Sequence, residues 1–171
     1  MEQDPLSAFA HWRLGLRYYC RRQWDAAIKE YRNALEFDPN YTWALAGIPT
    51  VYIGAGKLKE AIQFVGPPKP SASPVSIGLL GYFFGLVGQR AVAQKYLQDL
   101  KRIDPKIYTP PSAFAHIYLG LGDMEKCFDW LEKAVDENDG FVFLLHVLPY
   151  FDPIRSHARY PALLRKMNLQ P

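Results

Sequence analysis

The chain has 171 residues, of which 49% are hydrophobic and 22% charged, with a formal net charge of +3. This balance fits one folded domain, or one short solenoid with a sizeable core, and excludes a disordered chain. The small net charge argues against a nucleic-acid surface unless the basic residues cluster.

Residues 1–20 lack a basic start followed by an unbroken apolar run, so no signal peptide is expected. Hydrophobic spacing and turn residues then predict helices near 8–21 and 24–37, with Pro39 closing the first pair. A second pair is predicted near 42–54 and 58–65, its first helix interrupted by Pro49. The Pro-rich stretch at 66–74 reads as a loop, with a hinge or a polyproline ligand as alternatives. The third pair is expected near 75–87 and 90–102, and the fourth near 111–121 and 124–137. Ser73-Pro74 and Thr109-Pro110 each put a capping hydroxyl before a first-turn proline, and Asp123 suits the start of the last helix. The longest apolar run, Val75 to Gly88, has 14 residues, short of the ~20 needed to span a membrane. Residues 142–171 fall outside this pattern; Phe141–Val147 and a helix-like Tyr160–Met167 are expected to cover the exposed core of the last pair.

The four pairs share columns. Leu14-Gly15-x-x-Tyr18 returns as Ile48-Pro49-x-x-Tyr52, Leu80-Gly81-x-x-Phe84 and Phe114-Ala115-x-x-Tyr118, at steps of 34, 32 and 34 residues. A helix-breaking column reads Arg22, Gly56, Gly88, Gly122, and a small-residue column reads Ala27, Ala61, Ala93, Cys127. The next column, Tyr31, Val65, Leu97, Leu131, is bulky and apolar. Such a period describes helical hairpins joined at a left-handed residue, each unable to bury its apolar face without a neighbour.

Leu14-Gly15…Tyr18…Ala27…Tyr31…Ala34-Leu35-Glu36-Phe37-Asp38-Pro39-Asn40 resembles a tetratricopeptide repeat, departing from it at His11 and Arg22. Repeats are expected at 8–41, 42–73, 74–107 and 108–141, after an N-terminal tail at 1–7 and before a capping segment at 142–171. The stretch Tyr118-x-Gly120-Leu121-Gly122-Asp123…Phe128-x-Trp130, continued by Phe151-Asp152-Pro153-Ile154-Arg155…Arg159, is similar to the ends of bacterial regulatory proteins of this family.

The resemblance implies an all-α, right-handed superhelical solenoid of four helix pairs with a C-terminal helical cap, its first helices lining a concave groove. Carried over by register, the groove residues are Phe9, Trp12, Leu16, Tyr19, Trp43, Ile53, Tyr82, Leu86, His116 and Leu119. Ser112 falls in the same register. That set is aromatic and aliphatic and lacks the Lys, Arg and Asn with which chaperone-type members hold a C-terminal carboxylate. It implies an apolar or amphipathic protein or peptide partner. Arg13, Arg17 and Arg21 form a secondary basic patch at i, i+4, i+8. Residues 122–141 hold seven acids against two lysines, so head-to-tail self-pairing is an alternative.

Chemistry is not expected. Gly54-Ala55-Gly56-Lys57 lacks the Ser or Thr and the earlier Gly of a phosphate loop. The four histidines show no metal-ligand spacing, and Cys20 and Cys127 follow no ligand or disulfide pattern. The chain is therefore read as a cytoplasmic, non-enzymatic interaction scaffold, without cofactor, metal, nucleic-acid or membrane partner. A homodimerisation module and a sensor segment of a larger signalling protein are the alternatives.

Overall fold

The computed structural model describes residues 5–66 and 73–170, apart from the side chains of Pro5, Leu6 and Phe143. Most of the Pro-rich loop, at 67–72, lies outside the described residues. Every regular element among them is helical. In chain order these are α1 (Pro5–Cys20), α2 (Trp24–Phe37), α3 (Thr42–Gly54), α4 (Leu58–Val65), α5 (Pro74–Leu86), α6 (Arg90–Lys101), α7 (Pro111–Leu121), α8 (Met124–Asp136) and α9 (Tyr160–Lys166). Short 3-10 turns at Val142–Leu144 and Pro149–Ile154 follow α8.

The hairpin turn is the same four times. Arg22, Gly56, Gly88 and Gly122 have φ of 58°, 73°, 81° and 75°. The next residue's N–H then reaches back to the carbonyl of the aromatic column. Gln23 donates to Tyr18 at 2.9 Å, Lys57 to Tyr52 at 2.8 Å, Gln89 to Phe84 at 2.8 Å and Asp123 to Tyr118 at 3.0 Å. This closure satisfies carbonyls that the end of a helix leaves open. Glycine takes the left-handed shape without strain, whereas Arg22 bears a cost of about 1 kcal/mol.

Caps are met less uniformly. Ser73 accepts from the Ser76 N–H at 3.5 Å, and Asp123 accepts from the Lys126 N–H at 3.2 Å, as predicted. Thr109 does not cap α7, whose cap residue is Pro110. The carboxylate comes instead from Asp139, 27 residues on, which accepts from the Ser112 N–H at 2.9 Å and from the Phe141 N–H at 3.0 Å. Pro49 does not interrupt α3; its ring is buried within the continuous helix, and the Thr50 hydroxyl donates to the Gly47 carbonyl at 2.7 Å.

Two compact units result, one of Met1–Pro67 with Leu148–Tyr150 and one of Pro68–Val147 with Phe151–Pro171. In the first unit Tyr31 of α2 enters between α1 and α3. A Cβ added to Gly15 would stand 2.5 Å from its ring, and one added to Gly47 would stand 2.6 Å away. Glycine at both positions makes the slot. His11, where the family has a large apolar residue, stacks on Phe37 with ring centres 5.4 Å apart and its Nδ1 lies 2.7 Å from Glu30 Oε2.

In the second unit α5 lies directly on α7. A Cβ on Gly78 would meet the Ala113 backbone at 2.8 Å, one on Gly85 the Gly120 carbonyl carbon at 2.6 Å, and one on Gly120 the Tyr82 carbonyl oxygen at 2.2 Å. The small-residue column holds each hairpin closed, with Ala27, Ala61, Ala93 and Cys127 all at 0% exposure. Phe84 of the aromatic column is buried, while Tyr18, Tyr52 and Tyr118 are half-buried.

Two alanine substitutions separate the two uses of glycine. Gly122→Ala meets nothing within 4 Å, so only the left-handed backbone is penalised, by about 1–2 kcal/mol. Gly120→Ala must push backbone off backbone, and its cost is set at about 3 kcal/mol. Urea unfolding of both variants should preserve that order; a smaller loss for Gly120→Ala would contradict the helix contact.

Candidate functional site

The predicted groove residues separate by burial. In the first unit, Phe9 of α1 is 44% exposed, and Trp12, Leu16, Trp43 and Ile53 are half-buried. Their rings form a run. Phe9 lies 5.7 Å from Trp12, Trp12 lies 5.8 Å from Trp43 of α3, and Tyr41 meets Trp12 edge-on at 6.4 Å. Tyr41 joins this cluster although the register did not select it. Arg13 sits over the Phe9 ring at 5.7 Å, and Arg13, Arg17 and Arg21 are all exposed. Tyr19, placed in the groove by register, is instead buried at 2% exposure, with its ring 5.8 Å from Trp24 of α2.

In the second unit only Leu86 is exposed; Tyr82, His116 and Leu119 are buried. The chain after α8 supplies part of the cover. Phe141 meets the His116 ring edge-on at 5.5 Å, and Phe151 lies 5.7 Å from it. Burial holds the His116 imidazole down to about 4, against a nearby Asp139 that works the other way. Burial also raises the Tyr82 phenol, with the Asp152 carboxylate adding to it.

The acidic side of α8 is occupied within the same unit. Arg159 donates through Nε and Nη2 to Glu132 at 3.1 and 2.8 Å, through Nη2 to Asp129 at 2.9 Å and through Nη1 to Glu125 at 3.0 Å. The guanidinium is held further toward its charged form, mainly by Glu132. Lys166 of α9 reaches Asp136 at 2.7 Å. His157 stacks on Phe128 at 4.5 Å and approaches Glu125 at 3.4 Å. These contacts within one unit account for much of the acid excess at 122–141 that had suggested head-to-tail pairing.

Two candidate groups are taken up by packing and pairing. Burial pushes the Cys127 thiol up to about 12, far from a thiolate at neutral pH. Lys57, in the glycine-rich stretch, is 3.3 Å from Asp25. Among the described residues no group of three or more His, Cys, Asp or Glu has metal-binding geometry, and no helix is long and apolar enough to cross a membrane.

Comparison with protein families matches tetratricopeptide repeat profiles to residues 8–41 and 113–139, one stretch in each unit. Those two stretches are tetratricopeptide repeats. The helix pairs between the two matches carry the same left-handed turn as the repeats that flank them. Tetratricopeptide repeats generally serve as scaffolds for protein–protein interaction. No curated protein matches the chain.

The buried imidazole makes the second unit acid-sensitive. A folded value near 4 lies below the unfolded 6.5, so protons favour the unfolded state as pH falls between them. The stabilisation is present above about 6.5 and is lost towards 4, to the order of 3 kcal/mol. His116→Gln should flatten the difference between denaturation midpoints at pH 7 and pH 4.5; equal pH dependence in both proteins would show that His116 does not titrate there.

Proposed function

We propose that this protein is a docking scaffold whose ligand-binding surface in the first unit is the aromatic run Phe9–Trp12–Trp43, edged by Tyr41 and by the arginines of α1. The ring run supports the reading. Four aromatic side chains sit at 5.7–6.4 Å centre-to-centre spacings, with Phe9 open to solvent at one end. Trp and Tyr offer large rigid contact area at small entropy cost and dominate many interfaces.

The bound segment is an apolar or amphipathic peptide with acidic residues beside its apolar ones. The apolar part lies on the rings, and the acids face Arg13, Arg17 and Arg21. Charge complementarity of this kind steers association and weakens with salt. Neither Cys20 nor Cys127 is in a disulfide, which suits a reducing compartment, and we place the protein in the cytoplasm on that ground.

Peptides selected from a random library on the full chain test the surface. Replacing both Trp12 and Trp43 by Ala should weaken the selected peptides by about 30-fold or more, the scale of a central aromatic anchor. Changing Arg13, Arg17 and Arg21 to Ser should mainly lessen the salt dependence of binding. Undiminished binding to the double Trp variant would reject the surface. A rise in mass with concentration that the same double variant abolishes would assign it to self-association instead.

A further inference from the structure

We propose that the side of α1 carrying Ala10, Arg13, Leu14 and Arg17 docks an acidic helix of a partner protein. The helix sits where later first helices receive the hairpin before them. At 3.6 residues per turn this side stands roughly 130° round α1 from Phe9, Trp12, Leu16 and Tyr19. It shares the arginines of the aromatic surface but not its rings, so it stands whether or not the rings bind a peptide.

The repeat columns identify this side as a packing face. By the first repeat step, Ala10, Arg13, Leu14 and Arg17 correspond to Ala44, Gly47, Ile48 and Val51 of α3. There Ala44, Ile48 and Val51 are at 0% exposure, and the Tyr31 ring of α2 lies against Gly47. On α7 the counterparts of Arg13 and Arg17 are Ala113 and Ile117, buried against Gly78 and Gly81 of α5. The preceding hairpin thus packs on this side in both cases. On α1 the same side is open, with Ala10, Arg13 and Arg17 exposed and Leu14 at 38%. Arg13 stands in place of a glycine and Arg17 in place of a valine, so one helical face is kept with its chemistry changed.

Charge complementarity gives the occupant. Arg13, Arg17 and Arg21 follow one another at four-residue steps, and like charges so placed repel. Among the described residues no carboxylate pairs with any of the three; Arg13 has the Phe9 ring. A face that meets only water mixes its signs. On α8 this chain answers a like-charged ladder with the opposite sign. Glu125, Asp129, Glu132 and Asp136 are met by Arg159 and Lys166 from a later segment. The ladder on α1 calls for carboxylates in the same way. Helices pack on its counterparts, and Ala10 and Leu14 form an apolar row beside Arg13 and Arg17. The fitting partner is therefore a helix with acids at four-residue steps beside small apolar residues. Four residues advance either helix by about 6 Å, so the two ladders keep step.

The test titrates the full chain into a labelled alanine-based peptide with glutamates at every fourth position beside leucines. It should bind and gain helicity, read by anisotropy and circular dichroism. A peptide of the same composition with glutamates at alternate positions should bind about tenfold more weakly or worse. Arg13→Glu with Arg17→Glu should lose about tenfold or more for the glutamate peptide and gain binding of its lysine counterpart. Leu14→Gln should weaken binding with its salt dependence unchanged. All three positions are exposed, so the fold tolerates these changes. Trp12→Ala with Trp43→Ala should bind the glutamate peptide as the wild type does. Loss of binding there would move the acids to the aromatic surface, overturning this proposal and leaving that surface standing. No binding of the glutamate peptide, equal binding of the two glutamate arrangements, no binding of the lysine peptide to the reversed variant, or tighter binding of phosphatidylserine vesicles than of the peptide would each overturn it.

Discussion

Each unit depends on glycine allowing another part of the chain to occupy the space of a missing Cβ. Between α1 and α3 that visitor is the Tyr31 ring, lodged against Gly15 and Gly47. Between α5 and α7 it is backbone itself, with Gly120 under the Tyr82 carbonyl. Close packing of this kind has little slack, since interiors are as dense as organic crystals and a single added carbon must be accommodated by movement. The distance between successive first helices is thereby set, and with it the spacing of the side chains they present.

That spacing has different consequences in the two units. On α1 and α3 it brings Trp12 and Trp43 within 5.8 Å of each other, and Phe9 extends the run into solvent. On α5 and α7 it places His116 under the segments that follow α8, with Phe141 and Phe151 against its ring. Burial depresses the His116 imidazole and raises the Tyr82 phenol. Asp139, itself buried at 4% exposure, is satisfied by accepting from the Ser112 and Phe141 backbone N–H groups.

Several polar and thiol side chains serve packing and pairing. Cys127 fills a small-residue position in the hairpin contact, and burial keeps its thiol protonated. Lys57 belongs to a repeat turn and an ion pair with Asp25. Arg159, with three carboxylates about it, fixes the tail to α8. The side chains with most to offer a partner are the rings and arginines of α1 and α3, whose energy lies in contact area and charge.

The hairpins were legible in residue order alone. Helix limits fell within three residues of those expected, and the left-handed column Arg22, Gly56, Gly88, Gly122 was legible because a turn is decided by the few residues that compose it. The alanine column was legible for a related reason: both faces it joins lie within one period of about 34 residues. Which groove positions stay open depends on long-range packing. Register places Tyr82, His116 and Leu119 with Trp12 and Trp43 as equals, but Phe141, the last residue of the fourth repeat, and Phe151, beyond it, fold back over His116. The apolar run at Phe141–Val147 pointed to such a return, but neither the groove residue it meets nor Asp139 reaching back 27 residues to cap α7 leaves a local signal. Both depend on contacts between distant segments, whose pairing is chosen by packing and hydrogen-bond satisfaction after the hairpins exist.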